Sequence, residues 1–159
     1  MIQSLCTKEE IIRRNSDMVY KCAFSMLKNQ MDAEDIHQEV FLKYIKKEIT
    51  FECKEHEKAW FLRVTVNSCK NHWKRAWNRR VSSFSTEQEP SYEMSNPQEN
   101  ELLELVGRLP RKYRMVIHLF YYEELSIEEI SKITGGKPST VRTWLTRARG
   151  KLKEMAVDL

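Results

Sequence analysis

LSIEEISKITGGKPSTVRTWLTRARGKLK, residues 125–153, reads as two short helices with a tight break between them. Ser126 is placed to cap the first helix, and Glu129, three residues on, completes a reciprocal capping box. Ile127, Ile130 and Ile133 give that helix an apolar edge. Gly135-Gly136 ends it, because glycine accepts the left-handed backbone that helix ends favour. The second helix is capped by Ser139 or Lys137, according to whether Pro138 lies outside it or at its first position. Val141, Leu145, Ala148 and Leu152 recur at helical spacing and should face inward. The outer side gathers Ser139, Thr140, Thr143, Thr146 and Arg147, with Arg142 on the flank. Small hydroxyls and guanidinium groups suit a helix laid in the major groove of DNA. From Lys137 to Lys153 there are six basic residues and no acid. A solvated surface helix has the same charge, but the preceding helix and the glycine break favour a helix-turn-helix.

Working outward, the 159 residues suffice for one ordinary domain or two small helical ones. With 41% hydrophobic and 31% charged residues a packed core is feasible and wholesale disorder is excluded. Four glycines and four prolines are few for a sheet-rich chain with many turns, so the fold class expected is all-α. No apolar run approaches the roughly 18 residues of a membrane span and no secretory leader is visible, which predicts a cytoplasmic protein without direct membrane insertion. The net charge of +4 is unevenly spread. Arg63 to Arg80 holds six basic residues and no acid, whereas Ser82 to Glu101 holds five acids and no base. Two cationic blocks around an anionic spacer predict two surfaces that face polyanions.

Three helices are expected before that spacer. Thr7-Lys8-Glu9-Glu10 opens the first as a capping box, with Ile11, Ile12, Val19, Tyr20, Ala23, Phe24 and Leu27 as apolar positions. Asp32 is the expected cap of a second helix running to about Lys47. Ile36, Val40, Phe41, Tyr44 and Ile45 should pack inward, leaving Asp35, Gln38, Glu39, Leu42 and Lys46 outside. An outward leucine ringed by acids and an amide is either ordinary surface or the anchor of a protein contact with a polar rim. After a polar loop from Thr50 to Glu57, a long helix is expected from about Lys58 to Arg80. Phe61, Leu62, Thr65, Val66, Cys69, Trp73 and Ala76 form its core side. Arg63, Asn67, Lys70, Asn71, Lys74, Arg75 and Asn78 form the other, together with Trp60 and Val64. Asparagine is a poor helix former, yet three share this basic face; Asn with Arg or Lys matches base edges and phosphates. Trp60, read as exposed, either stacks on an unpaired base or merely covers the helix start.

Val81 to Pro97 lacks helical periodicity and reads as a linker, which defines domains over 1–80 and 98–159. Its 17 residues would span about 56–61 Å when extended, more than the roughly 34–36 Å of one duplex turn. Leu102, Leu103, Leu105, Val106 and Leu109 form the next helix, stopped at Pro110. Tyr113, Val116, Ile117 and Phe120 are core positions of another, so that the second domain holds four helices including the helix-turn-helix.

DAEDIHQEVFLKYIKK (residues 32–47), AWFLRVTVNSCKNHWKR (residues 59–75) and the helix-turn-helix resemble the characteristic blocks of extracytoplasmic-function sigma factors, the small sigma-70-type proteins with only domains two and four. The resemblance covers nearly the whole chain in the right order. It implies a protein that binds core RNA polymerase, directs it to promoter DNA and helps open the duplex. Asp35, Gln38, Glu39 and Leu42 then correspond to the surface for the β′ clamp helices. Arg63, Asn67, Lys70, Asn71 and Lys74, with Trp60, correspond to the −10 reading helix, and Phe51 to Glu57 to the segment that captures a flipped-out base. The helix-turn-helix corresponds to the −35 reader and its domain to the partner of the β flap. An anti-sigma factor is a further partner the family suggests. His37 departs from the family pattern, where an apolar or small residue is commoner, and the Gly-Gly-Lys-Pro turn leaves the −35 helix register open by about one residue.

Two other classes compete. A stand-alone helix-turn-helix regulator would have no use for the Asp35–Leu42 surface. A zinc enzyme would draw on Cys53, His56, Cys69 and His72, whose spacing imitates paired ligands. Against zinc, Cys69 falls on the buried side of a helix, where a thiol behaves as a small hydrophobe. No nucleophile, phosphate loop or carboxylate pair supports catalysis, so neither a catalytic site, a resident metal nor a cofactor is expected.

Overall fold

Thr7 opens the first helix as its sequence predicts: its hydroxyl accepts from the Glu10 amide at 3.2 Å. The computed structural model describes residues 7–83, 102 and 104–157, and all regular elements among them are helical. They fall into two compact units, within Met1–Glu89 and Pro90–Leu159.

The first unit contains α1 (Lys8–Leu27), α2 (Gln30–Lys46) and α3 (Lys54–Ser83). The chain reverses between α1 and α2 through Lys28, which takes the left-handed conformation at φ 57°. Asn29, not Asp32, then caps α2, accepting from the Asp32 amide at 3.0 Å. Asp32 instead lies in the first turn, where its negative charge suits the helix dipole. From there its carboxylate lies 3.3 Å from His72 Nε2 on α3. The third helix starts four residues before the expected Lys58 and ends three residues into the stretch read as linker. Glu55 and Glu57 explain the early start, since acids in a first turn stabilise a helix that polar composition alone conceals. The rest of that stretch, 84–97, lies outside the described residues.

The three helices bury Val19, Ala23, Ile36, Val40, Leu62 and Val66 completely or nearly so. At one end of this core Phe41, Tyr44, Phe51, Trp60 and Phe61 form a single aromatic cluster, with ring centroids 5.0–6.1 Å apart in adjoining pairs. Edge-on and tilted pairs of this kind add about 0.5–1.5 kcal/mol each to plain area burial. Ile45 was expected in the core but is 51% exposed. One residue beyond Tyr44, it lies about 100° round the helix from the centre of the packed face, so it lines the edge toward Ile12 of α1 instead of entering the core.

In the second unit, helical backbone at 102 and 104–107 (α4) tightens before Pro110, with Arg108 and Leu109 donating back three residues to Leu105 and Val106. The fully buried Arg114 donates to the Leu109 carbonyl at 2.8 Å, satisfying the end of that turn. Its helix, α5 (Arg111–Ile117), passes into one wider π-helical turn, His118–Tyr122. The additional residue in that turn keeps Leu119 buried while Phe120 is only half-buried and Tyr121 and Tyr122 face water. Then come α6 (Ile127–Thr134) and α7 (Pro138–Val157). Ser126 and Glu129 form the expected capping box, at 3.1 and 3.0 Å, and Gly135 takes φ 82°. The Val141 amide bonds the Lys137 carbonyl, so Lys137 is the cap of α7 and Pro138 its first residue. Val141, Leu145 and Ala148 are buried as their spacing predicts, with Leu152 half-buried.

Candidate functional site

Three surfaces carry the residues singled out from the sequence, two in the first unit and one in the second. On α2, Asp35 and Gln38 are exposed, Leu42 is 49% exposed, and Glu39 is half-buried beside Lys43 at 3.5 Å. Leu42 is not an isolated apolar residue. With Ile45, Phe41 and Ile12 of α1 it lines an open groove whose polar rim includes Glu34 and Gln38. The residue that shapes this groove from within is His37. Its Nε2 lies 2.8 Å from Ser16 Oγ on α1, and its ring rests on Phe41 with centroids 4.8 Å apart. Burial lowers its pKa, with Glu34 opposing the shift. The departure at His37 is thus a hydrogen-bonded bridge between two helices.

On α3, Arg63, Asn67, Asn71 and Lys74 are exposed and Lys70 is half-buried, so these five stand on one outward face. Burial, and then the nearby charge of Lys74, pull the Lys70 ammonium below its ordinary pKa. Cations crowded in this way present a concentrated positive potential, suited to a polyanion. Trp60 does not join them. It is 7% exposed and packs on Phe61 at 5.0 Å, Phe51 at 5.9 Å and Tyr44 at 6.0 Å. Its helical phase matches Asn67, but at the helix start the segment carrying Phe51 comes round and covers that phase. The exposed tryptophan of α3 is instead Trp77, at 62%, which the sequence reading left aside. Of the proposed capture segment, Phe51 and Glu57 are buried while Glu52 to His56 are exposed. Glu57 is clasped by Arg14 through Nε and Nη2, at 2.8 and 2.5 Å, and by Asn15 at 3.0 Å.

On α7, Ser139, Arg142, Thr143, Thr146 and Arg147 are all exposed and Thr140 is half-buried. Thr143 already donates to the Ser139 carbonyl at 3.0 Å, so its methyl and the two acceptor lone pairs of its hydroxyl are what it offers outward. Arg149, which no spacing argument separated from its basic neighbours, is engaged internally. Its guanidinium lies over Phe120 and Tyr121, at 5.4 and 5.5 Å, and donates to the Tyr121 hydroxyl. That contact ties the π-helical turn to α7.

Of the four residues considered for zinc, three are employed separately and Cys53 is an exposed free thiol. Cys69 is fully buried with its thiol pKa pushed well up by burial, and His72 meets Asp32. His56 Nδ1 accepts from the Glu52 amide at 3.2 Å. Among the described residues no group of three or more His, Cys, Asp or Glu is arranged to hold a metal ion. Nor is any helix among them long and apolar enough to cross a membrane.

Comparison with known proteins bears on the first unit and the second alike. Residues 11–79 match the family model for sigma-70 region 2, and residues 99–152 that for sigma-70 region 4. The chain is 35% identical to RNA polymerase sigma factor SigV of Bacillus subtilis over 141 residues, covering 88% of this chain and 83% of that protein. It is 32% identical to the ECF RNA polymerase sigma-E factor of Escherichia coli, over 74% of this chain and 70% of that one. Among solved structures, the sigma factor RpoE of Bartonella quintana in complex with the anti-sigma factor NepR shares its fold, with TM-score 0.76 at 21% identity, covering 93% of this chain and 95% of that one.

Proposed function

The chain belongs to the sigma-70 family of RNA polymerase sigma factors, and on that premise we propose how its surfaces divide the work of directing core polymerase to promoters and starting transcription there. The groove side of α2 is the polymerase surface, with Asp35, Gln38, Glu39 and Leu42 as its contacts for the β′ clamp helices. The carrying observation is the half-exposed Leu42 beside the half-exposed Ile45, an apolar island that the first unit leaves in water although the rest of its core is closed. Such an island inside a polar rim has the anatomy of a binding anchor.

Arg63, Asn67, Lys70, Asn71 and Lys74 of α3 form the −10 surface, and Ser139, Thr140, Arg142, Thr143, Thr146 and Arg147 of α7 form the −35 surface. The division places residues 1–80 on polymerase and opened DNA, residues 98–159 on duplex and the β flap, and 81–97 between them. The chain contributes recognition, and the polymerase contributes the chemistry; we assign no reaction, metal or cofactor to it. Its place of work is the cytoplasm. An anti-sigma factor that filled the α2 groove would exclude polymerase from it, and the solved relative bound to such a factor makes this form of control a reasonable one to test.

In vitro transcription with core polymerase on a library of random promoters tests the whole assignment. Promoter-specific transcripts that depend on the chain are expected, with two selected sequence blocks. Specific DNA binding by the chain alone, with no effect on core polymerase, would contradict it.

A further inference from the structure

Glu34, His37, Phe41 and Ile45 follow one another along α2 at spacings of three, four and four residues. On an α-helix that spacing gathers them on one edge, and with Ile12 of α1 and Leu42 they line the open groove. His37 is the member of this edge that reaches across to α1. Its Nε2 meets Ser16 Oγ at 2.8 Å, and its ring lies against Phe41 with centroids 4.8 Å apart. Phe41 is 6% exposed and rests on Phe61 of α3 at 5.4 Å. The imidazole therefore stands on the closed core, half-buried, with its outer side in the groove. An aliphatic side chain there would fill the same space but could neither bridge to Ser16 nor bind a proton.

The charges around the ring are few. On α2, Glu34 lies one turn before it and acts on it, opposing the larger effect of burial, which favours the neutral form. On α1, Arg13 is matched by Glu9 at 2.7 Å and Asp17 by Lys21 at 2.9 Å, while Tyr20 faces the same Glu34 carboxylate. From α3 this edge meets the apolar Phe61, through Phe41. A neutral imidazole is satisfied by the link to Ser16, whereas a charged one carries a second N–H donor that Ser16 does not reach. A partner seated in the groove removes water from the ring, and Asp35 and Glu39 select a partner that is basic at its rim. Both effects penalise the imidazolium. Glu34 lies one turn to one side of His37 and Phe41 one turn to the other, so a charged ring is drawn away from Phe41.

We propose that His37 is a positioning residue of the polymerase surface, holding α2 to α1 beneath the groove as a neutral ring and losing that hold when it binds a proton. The proposal rests on the assignment of the α2 groove to core polymerase and adds to it a residue and a dependence on pH. Bound polymerase keeps the ring neutral, so the proton is held less tightly in the complex than in the free chain. Affinity is then complete above the pH at which the free chain takes up this proton. Below it, affinity falls by at most about tenfold per pH unit, and levels off where the complex takes up the proton as well.

The test is the affinity of the full chain for core polymerase between pH 7.5 and 5.0, with circular dichroism confirming native helix content at each pH. Over this range the wild-type chain should lose roughly three- to thirtyfold in affinity, the span for one proton taken up below pH 6.5. His37→Gln keeps a group that reaches Ser16 and has no proton to bind. It should bind about two- to tenfold more weakly than wild type at pH 7.5 and lose this part of the pH dependence. Titration of the polymerase itself cancels in the difference between the two curves. Ser16→Ala, which removes the bridge, should also weaken binding about two- to tenfold at pH 7.5. Parallel curves for wild type and His37→Gln would overturn the proposal, as would a wild-type affinity that rises on acidification. So would a Ser16→Ala chain that binds as the wild type does. Failure of the wild-type chain to bind core polymerase at pH 7.5, or binding that survives Glu39→Lys with Leu42→Ala, would strike the assignment of α2 instead.

Discussion

Arg14 of α1 and Glu57 of α3 meet as a two-pronged ion pair, Nε to Oε2 at 2.8 Å and Nη2 to Oε1 at 2.5 Å, while Glu57 is 4% exposed. Asn15 adds a third hydrogen bond to the same carboxylate at 3.0 Å and a fourth from its amide to the Ile11 carbonyl at 2.8 Å. The pair fixes the start of α3 against α1 at the point where the chain turns from the Phe51 segment into α3. It therefore sets the position from which every residue of α3 is counted.

Removing one side of this pair should cost more than an ordinary surface ion pair. Arg14→Ala strands a buried carboxylate, and a destabilisation of about 2–3 kcal/mol is expected, less than the roughly 3–5 kcal/mol of a fully enclosed pair because Arg14 remains partly in water. Glu57→Gln should cost less, since the amide keeps hydrogen-bonding capacity. Urea unfolding of the full chain, followed by a signal of the first unit, measures both. A loss under about 0.5 kcal/mol for Arg14→Ala would place the pair among surface contacts of no consequence.

The same unit should lose stability with falling pH in two windows. Burial lowers the His37 pKa in the fold, so from about pH 6.5 downward the unfolded chain takes up this proton more readily than the folded one. Stability falls through that window and levels off below the folded pKa. For Glu57, burial raises the pKa, but the hydrogen bonds from Arg14 and Asn15 and the Arg14 charge outweigh it, leaving the folded value below 4.5. Its contribution is complete above that value and is lost as pH falls through the folded one. His37→Gln should abolish the first decline and leave the second. A midpoint flat between pH 7 and 5 for the wild-type chain would refute the His37 part.

Where the α-helical pattern was continuous, the sequence was a sufficient guide. The capping box of Ser126 and Glu129, the left-handed Gly135 and the inward Val141, Leu145 and Ala148 all follow from local rules, and local rules govern them in the fold. The misreadings sit where a neighbour overrides phase. Trp60 shares its helical phase with Asn67, yet the Phe51 segment roofs over it. Ile45 is apolar but turned about 100° from the packed face, at the edge of the groove it shares with Ile12. Asn29 took the capping role assigned to Asp32 because Lys28 turns left-handed, which no composition rule marks for a lysine. Of the candidate sites, the outward faces of α2, α3 and α7 were legible as faces. The Arg14–Glu57 pair, the His37–Ser16 bridge and the Arg149–Tyr121 contact were not, since each joins residues at least 21 positions apart.

On α2, Glu39→Lys combined with Leu42→Ala should abolish association with core polymerase and leave the fold intact. Glu39 and Lys43 form a surface pair of small energetic worth, and Leu42 is half in water, so neither change opens the core. An anchor residue at an interface contributes about 2 kcal/mol or more, a loss of roughly thirtyfold in affinity before the reversed charge is added. Co-purification with core enzyme reads the association and circular dichroism the fold. Undiminished co-purification would remove α2 from the polymerase surface.

Gly135 offers a cleaner test of the helix-turn-helix geometry. A Cβ there would meet nothing within 4 Å, so Gly135→Ala changes no packing. What remains is the backbone at φ 82°, which an L side chain adopts at a cost of about 1–2 kcal/mol. Thermal unfolding of the second unit should fall by that amount. No loss at all would mean that the turn relaxes to another conformation, visible then as a changed contact between Gly136 and Trp144.

Arg142 and Arg147 bracket the hydroxyl stripe of α7, five residues and so about 140° apart round the helix, with Ser139, Thr143 and Thr146 between them. A helix seated in a major groove directs its centre line at base edges and its flanks toward the two backbones. Arg142 is the fifth residue of α7 and Arg147 the tenth; the first turns penetrate deepest in a helix-turn-helix, so Arg142 is the one expected to reach a base. Arg142→Ala should cost about 1–3 kcal/mol and relax preference at a single −35 position. Arg147→Ala should weaken all promoters alike and lower the salt dependence of holoenzyme binding by about one counterion. Measuring both variants against a panel of single-base −35 substitutions at several salt concentrations separates the roles. If Arg147→Ala, and not Arg142→Ala, relaxes one position, α7 enters the groove rotated by more than a third of a turn from the seating its exposed stripe implies.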